Sequence, residues 1–184
     1  MKILGIAGSL RHGSYNRALL REAEQLAPPD VELEQFDLRN LPLFDADVEA
    51  AGDPPEVRRL KEAIREADAV LIATPEYNRG TSGVLKNAID WASRPPFGSP
   101  LSGKTVAIMG AGGGSGTAKA QAQVRDALSF PRANVIDAHV LVPLAWEHFD
   151  DEGRADDIVR ELVRDLVATL GASVEERHSA PVAA

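Results

Sequence analysis

Five short apolar runs alternate with amphipathic helical stretches along the chain, and this alternation constrains the fold more than any other feature. Lys2–Ala7, Val31–Phe36, Ala69–Thr74, Thr105–Met109 and Val135–Val142 are rich in β-branched and aliphatic residues. They read as strands, and most lack in–out alternation, as expected of strands covered on both faces. Helical stripes lie between them: Leu19 to Ala27, Val57 to Ala67, Val84 to Trp91, Ala118 to Leu128 and Ile158 to Leu170. Asp53-Pro54 reads as the cap and first turn of the second helix, and Ser82 as the N-cap of the third. Asp156 and Asp157 open the last helix and Gly171 closes it, an order that suits the helix dipole.

Repeated β-α units connect by right-handed crossovers into a parallel sheet with helices on both faces. The expected fold is therefore α/β, a flavodoxin-like three-layer sandwich with a five-stranded parallel sheet in order 2-1-3-4-5. One domain over residues 1–171 is expected, with residues 172–184 as a flexible tail. The Pro- and Asp-rich segment Leu38–Pro55 stands outside the alternation.

Composition removes several function classes. With no cysteine among 184 residues, the chain has no thiolate-ligated metal, disulfide framework or cysteine nucleophile. A net charge of −8 argues against nucleic acid or an anionic membrane surface as partner. The histidines His12, His139, His148 and His178 have no metal-ligand spacing, and no metal is expected. The apolar opening Ile3–Ala7 is too short for a signal-peptide core, and no stretch reaches the roughly 20 apolar residues of a spanning helix. A cytoplasmic protein is expected. The first 21 residues nevertheless carry Lys2, Arg11, Arg17 and Arg21 and no acid, a local positive charge suited to a small anion.

In such a sheet, ligands bind beyond the carboxyl ends of the strands where the strand order reverses, here between the first and third strands. Three loops meet there. The first, Gly8-Ser9-Leu10-Arg11-His12-Gly13-Ser14-Tyr15-Asn16, joins a buried strand to a helix. Its amides and the helix N-terminus favour a phosphate, Ser9 and Ser14 add hydroxyls, and Arg11 adds a forked cation. Asn16 either caps the helix or binds the ligand. The second, Pro75-Glu76-Tyr77-Asn78-Arg79-Gly80, reads as a ligand edge or as plain turn chemistry. The third is the glycine run Gly110 to Gly116. It matches neither G-x-G-x-x-G nor a P-loop, and reads as a flexible turn or a ligand-approach loop.

The pairing of Gly-Ser-Leu-Arg-x-Gly-Ser-x-Asn at 8–16 with Pro-Glu-Tyr-Asn at 75–78 resembles the NADPH-dependent FMN reductases, including the bacterial quinone and chromate reductases. Ser82 to Trp91 is similar to the same family's third helix. The resemblance implies that Ser9, Arg11, Ser14 and Asn16, with Leu10 and Tyr15 beside them, hold the phosphate and ribityl end of FMN. It implies that Pro75, Glu76, Tyr77 and Asn78 border the isoalloxazine ring and that Gly110, Ala111 and Gly112 line its far side. The glycine run departs from the family pattern. No catalytic side chain is implied, because the cofactor supplies the chemistry. The implied activity is hydride transfer from NADPH or NADH to FMN and onward to a small-molecule acceptor: a quinone, azo compound, metal oxyanion or free flavin. A homodimer or homotetramer is implied as well. The alternative is a flavodoxin-type FMN electron carrier that does not oxidise NADPH; the arginine in the first loop favours the reductase.

Overall fold

Ile3, Ala69, Leu71, Ala107 and Met109 point to one face of the sheet, and Leu4, Ile6, Val70, Ile72, Val106 and Ile108 to the other. Both sets are buried, which is why the strands read as continuous apolar runs. The computed structural model describes residues 1–95 and 98–179. Its strands are β1 (Lys2–Ala7), β2 (Glu32–Phe36), β3 (Ala69–Ala73), β4 (Thr105–Ala111) and β5 (Asn134–Val142). All neighbours are parallel, in the order β2-β1-β3-β4-β5. Helices α1 (Tyr15–Leu26) and α6 (Asp157–Ser179) pack on the first face, and α3 (Pro55–Glu66), α4 (Gly83–Ala92) and α5 (Ala118–Ser129) on the second. The expected sheet order and layering are therefore those observed.

Three local expectations need correction. Helix α6 does not stop at Gly171 but continues to Ser179. Val174 extends the stripe of Leu166, Val167 and Leu170 into the core, so the tertiary contact carries the helix past the glycine. A Cβ at Gly171 would come within 3.0 Å of Met1 Cε, the mobile end of a side chain that can give way, and the glycine does not terminate the helix. Of the expected tail, residues 180–184 lie outside the described residues.

The second correction is at Asp53, which caps nothing. Helix α3 has Pro54 at its N-cap with no side-chain cap bond. Both Asp53 oxygens instead accept from Lys61 Nζ at 2.7 Å. Lys61 is buried, and a buried ammonium left alone costs far more than an absent cap. Third, the segment 38–55 is not featureless. It holds a 3₁₀ turn at Leu38–Asn40, capped by Asp37, and the short helix α2 (Ala46–Ala51), capped by Asp45.

Two further contacts position the site. Glu22 on α1, buried, accepts from the Ala155 amide at 3.0 Å and pairs with Arg160 on α6. This fixes the segment between β5 and α6 against α1 and sets Phe149 against the Tyr15 ring, with centroids 5.2 Å apart.

Candidate functional site

The loops after β1, β3 and β4 converge at the carboxyl edge of the sheet. The first two touch: a Cβ on Gly8 would lie 2.9 Å from Pro75 Cδ. The Gly8 amide donates to Ala73 O at 2.9 Å, and Ser82 Oγ, which also caps α4, donates to Gly8 O at 2.6 Å. Only glycine permits this approach.

Beyond Gly8 the backbone opens. Among the described residues, the amides of Ser9 to Gly13 donate no hydrogen bond. Five consecutive free donors ahead of a helix N-terminus are the kind of cradle an anion can occupy. Arg11 lies beside it, its guanidinium 5.7 Å from the Tyr15 ring centroid, a cation–π contact that aims a long side chain. Leu10 O accepts from Arg39 Nη2 at 3.2 Å, which ties the loop to the turn after β2.

Ser14 and Asn16 face inward. Ser14 Oγ caps α1 by accepting from the Asn16 amide at 3.2 Å. The Asn16 side chain does not cap α1, a role Ser14 takes. Its Nδ2 donates to Ala111 O at 2.9 Å and its Oδ1 accepts from the Ala111 amide at 3.0 Å. Asn16 thereby braces the first loop to the end of β4, and both ends of its amide are engaged.

The second loop is a type I′ turn. Tyr77 and Gly80 exchange backbone hydrogen bonds at 2.9 and 3.0 Å, and Asn78 and Arg79 between them have φ of 51° and 64°. Tyr77 is exposed. Glu76 turns away from the turn and across the site. It accepts from Ser115 Oγ at 3.0 Å and from the Lys119 and Ala120 amides at 2.9 and 3.2 Å. Helix α5 lacks a cap of its own, because Thr117 at its N-cap is left-handed and makes no side-chain cap bond. Glu76 supplies that cap from another loop.

Burial pushes the Glu76 carboxyl up, but the Ala120 amide, the Ser115 hydroxyl and the Lys119 amide outweigh it and hold it below the usual carboxylate range. A carboxyl lowered on folding contributes stability above its unfolded value, near 4.3, and loses it as pH falls through the folded value. Glu76→Gln is accordingly expected to cost about 1 kcal/mol at neutral pH, the scale of a lost cap. It is also expected to flatten the acid limb of stability below about pH 4, read from urea unfolding at several pH values. An unchanged acid limb would remove Glu76 from this role.

The third loop is partly packed and partly open. A Cβ on Gly110 would meet Thr117 Oγ1 at 2.0 Å and Thr74 O at 2.5 Å, whereas one on Gly113 or Gly114 would meet nothing within 4 Å. Ala111 is buried, and the Gly112 amide donates to Val142 O at 3.1 Å. The glycine run therefore divides into Gly110 and Gly112, pressed against Thr117, and Gly113 and Gly114, which leave free space at the edge.

The structure thus brings together Ser9, Leu10, Arg11, Ser14, Tyr15 and Asn16 from the first loop, Pro75 to Asn78 from the second, and Gly110 to Gly112 from the third. Sequence reasoning missed Thr117, Arg39 and Phe149. Thr117 carries no local signal: it is left-handed without being glycine, and its side chain fills the space that Gly110 and Gly112 leave open. Of the two tryptophans, Trp91 is core, and Trp146 is 58% exposed.

The model of the NADPH-dependent FMN reductase family matches residues 1–147. An NAD(P)H-dependent FMN reductase of Pseudomonas aeruginosa is 50% identical over 173 residues, which cover 92% of this chain and 93% of that protein. A quinone reductase of Pseudomonas putida is 40% identical over 166 residues, 88% of each chain. Among solved structures, the flavoenzyme NAD(P)H:(acceptor) oxidoreductase FerB of Paracoccus denitrificans superposes with a TM-score of 0.84 at 30% identity, covering 95% of this chain and 97% of that one.

Proposed function

The chain belongs to the NADPH-dependent FMN reductase family, and on that premise we propose that its three loops hold one FMN, admit NAD(P)H to one face of the ring, and pass the electrons to a quinone. It is an FMN-dependent NAD(P)H oxidoreductase. The observation that carries the assignment of residues is the run of free amides from Ser9 to Gly13. A donor-only cradle with an arginine beside it fits a terminal phosphate monoester, and the free space at Gly113 and Gly114 fits a flat ring lying against backbone.

Bound FMN supplies hydride acceptance and storage of an electron pair; the protein supplies position. Arg11 and the loop amides hold the phosphate, and Tyr15 beneath Arg11 sets where that charge stands. The brace from Asn16 to Ala111 and the cap from Glu76 to α5 fix the spacing of the three loops around the ring. Tyr77 offers a ring face at the rim of the opening. No side chain needs to exchange a proton with the nicotinamide.

Homo-oligomerisation and a cytoplasmic site of action belong to the same proposal. Leu43 and Phe130 are large apolar side chains exposed to 82% and 68%, as a subunit interface would use. No helix among the described residues is long and apolar enough to cross a membrane.

If one opening serves both substrates, oxidised nicotinamide leaves before the quinone enters. Parallel double-reciprocal lines are therefore expected when NADPH is varied at several benzoquinone levels. Intersecting lines would require a second pocket, and failure of either nicotinamide to bleach bound flavin under anaerobic conditions would refute the reductase reading.

A further inference from the structure

A second, smaller recess lies between the carboxyl ends of β1 and β2. Its volume is about 70 Å³, and Ser9, Arg17, Gln35 and Asp37 line it with the strand ends. Ser9 belongs equally to the first loop, so the recess and the run of free amides share a wall residue.

Arg17, on the first turn of α1, is the unusual group here. Its side chain is 28% exposed, and its nearest acid, Asp37 Oδ2, stands at 4.0 Å, beyond hydrogen-bond reach. Among the described residues its guanidinium makes no hydrogen bond, and neither does the hydroxyl of Ser9, a residue only 6% exposed. Other part-buried cations of the chain are engaged: Lys61 by Asp53, Arg94 by Glu49, Lys104 by the Ala67 carbonyl and Arg160 by Glu22. A guanidinium has five donors in a fixed fork, and those of Arg17, still reached by water at 28% exposure, are unspent on the protein. Asp37 is itself engaged, accepting from the Arg39 amide at 3.0 Å. It orients Arg17 without neutralising it at hydrogen-bond distance.

We propose that Arg17 is a second cation of the flavin phosphate site, reaching the phosphomonoester from the β2 side through the recess at Ser9, while Arg11 holds it from the exposed side. The inference rests on the flavin reading above. It adds a residue outside the Gly-Ser-Leu-Arg-x-Gly-Ser-x-Asn motif and assigns it to recognition of the phosphate, not of the ring. Arg17 therefore sets the preference for FMN over riboflavin.

The test is equilibrium binding of FMN and of riboflavin to the full-length chain freed of flavin, followed by quenching of flavin fluorescence. Arg17→Ala is expected to weaken FMN binding roughly tenfold or more, the scale of a lost hydrogen bond between charged partners, and to leave riboflavin affinity unchanged. Arg17→Lys is expected to recover only part, since an ammonium lacks the planar fork. Retained riboflavin binding shows that the variant is folded; if Arg17→Ala is not, Arg17→Gln keeps the stem packing and is compared in the same way. An FMN-to-riboflavin ratio equal to that of the unsubstituted chain overturns the proposal. So does a rise in the KM for NADPH, with NADH and FMN unaffected, which would give the recess to the donor's ribose phosphate. No saturable FMN uptake by the unsubstituted chain would refute the flavin reading itself.

Discussion

Gly110→Ala is expected to be the most damaging single-methyl change in the chain, costing about 3 kcal/mol or more, at the upper end of overpacking penalties. The new Cβ would stand 2.0 Å from Thr117 Oγ1 and 2.5 Å from the Thr74 carbonyl oxygen. Neither neighbour can retreat cheaply. Thr117 is fully buried, and its hydroxyl accepts from Gln121 Nε2 at 3.2 Å. Thr74 is backbone at the end of β3, its amide bonded to Met109 O at 2.9 Å. For a chain of this size the loss corresponds to a fall in Tm of about 6–12 °C, measured by calorimetry without flavin. Gly113→Ala, whose Cβ enters open space, serves as the comparison and is expected to stay within about 0.5 kcal/mol. Removing the hydroxyl as well, in Gly110→Ala/Thr117→Ala, should return only part of the loss, because the Thr74 clash remains. If Gly110→Ala melts with the unsubstituted protein, the crowding at the third loop is not as described.

Asn16→Ala is expected to cost about 2–4 kcal/mol, because it removes both hydrogen bonds to Ala111 and leaves a buried amide and a buried carbonyl without partners, each worth about 1–3 kcal/mol unpaired. Asn16→Asp separates the two halves of the contact. The carboxylate still accepts from the Ala111 amide but turns its other oxygen on the Ala111 carbonyl, so it should recover little. Urea unfolding measures the stability, and FMN titration of the same variants measures the site. Loss of FMN affinity at undiminished stability would return Asn16 to direct ligand contact, the role implied by the family resemblance.

The contrast between those two roles shows where reading a sequence succeeds. The strands were legible because both faces of the sheet are covered, which leaves uninterrupted runs such as Ala69–Thr74. The three loops were legible because the order of a doubly wound sheet dictates where a ligand sits. Side-chain destinations were not. Asn16 and Ala111 are far apart in sequence, and nothing local to either says that they meet. Asp53 looked like a cap because capping is a local rule, yet a buried lysine two turns on commands the carboxylate. Gly171 looked like a stop because the stop signal is local too, yet the burial of Val174 carries the helix onward. Arg94 is likewise spent on a partner that nothing local announces, Glu49, with contacts of 3.0 and 3.1 Å. In each case a tertiary contact, near or far in sequence, decides between two locally plausible conformations.

The brace between Asn16 and Ala111 spans 95 positions, and this has a consequence for how the protein is made. A nascent chain presents β1, α1 and the loop between them long before the atoms that fix that loop have been synthesised. Contacts of such long sequence separation form only after their loop-closure entropy has been met, late in the search for the native state. The cradle is thus an early sequence and a late structure. On the proposed assignment of the phosphate to this loop, capture of cofactor by the growing protein would report completion of the sheet through β4, not emergence of the loop itself.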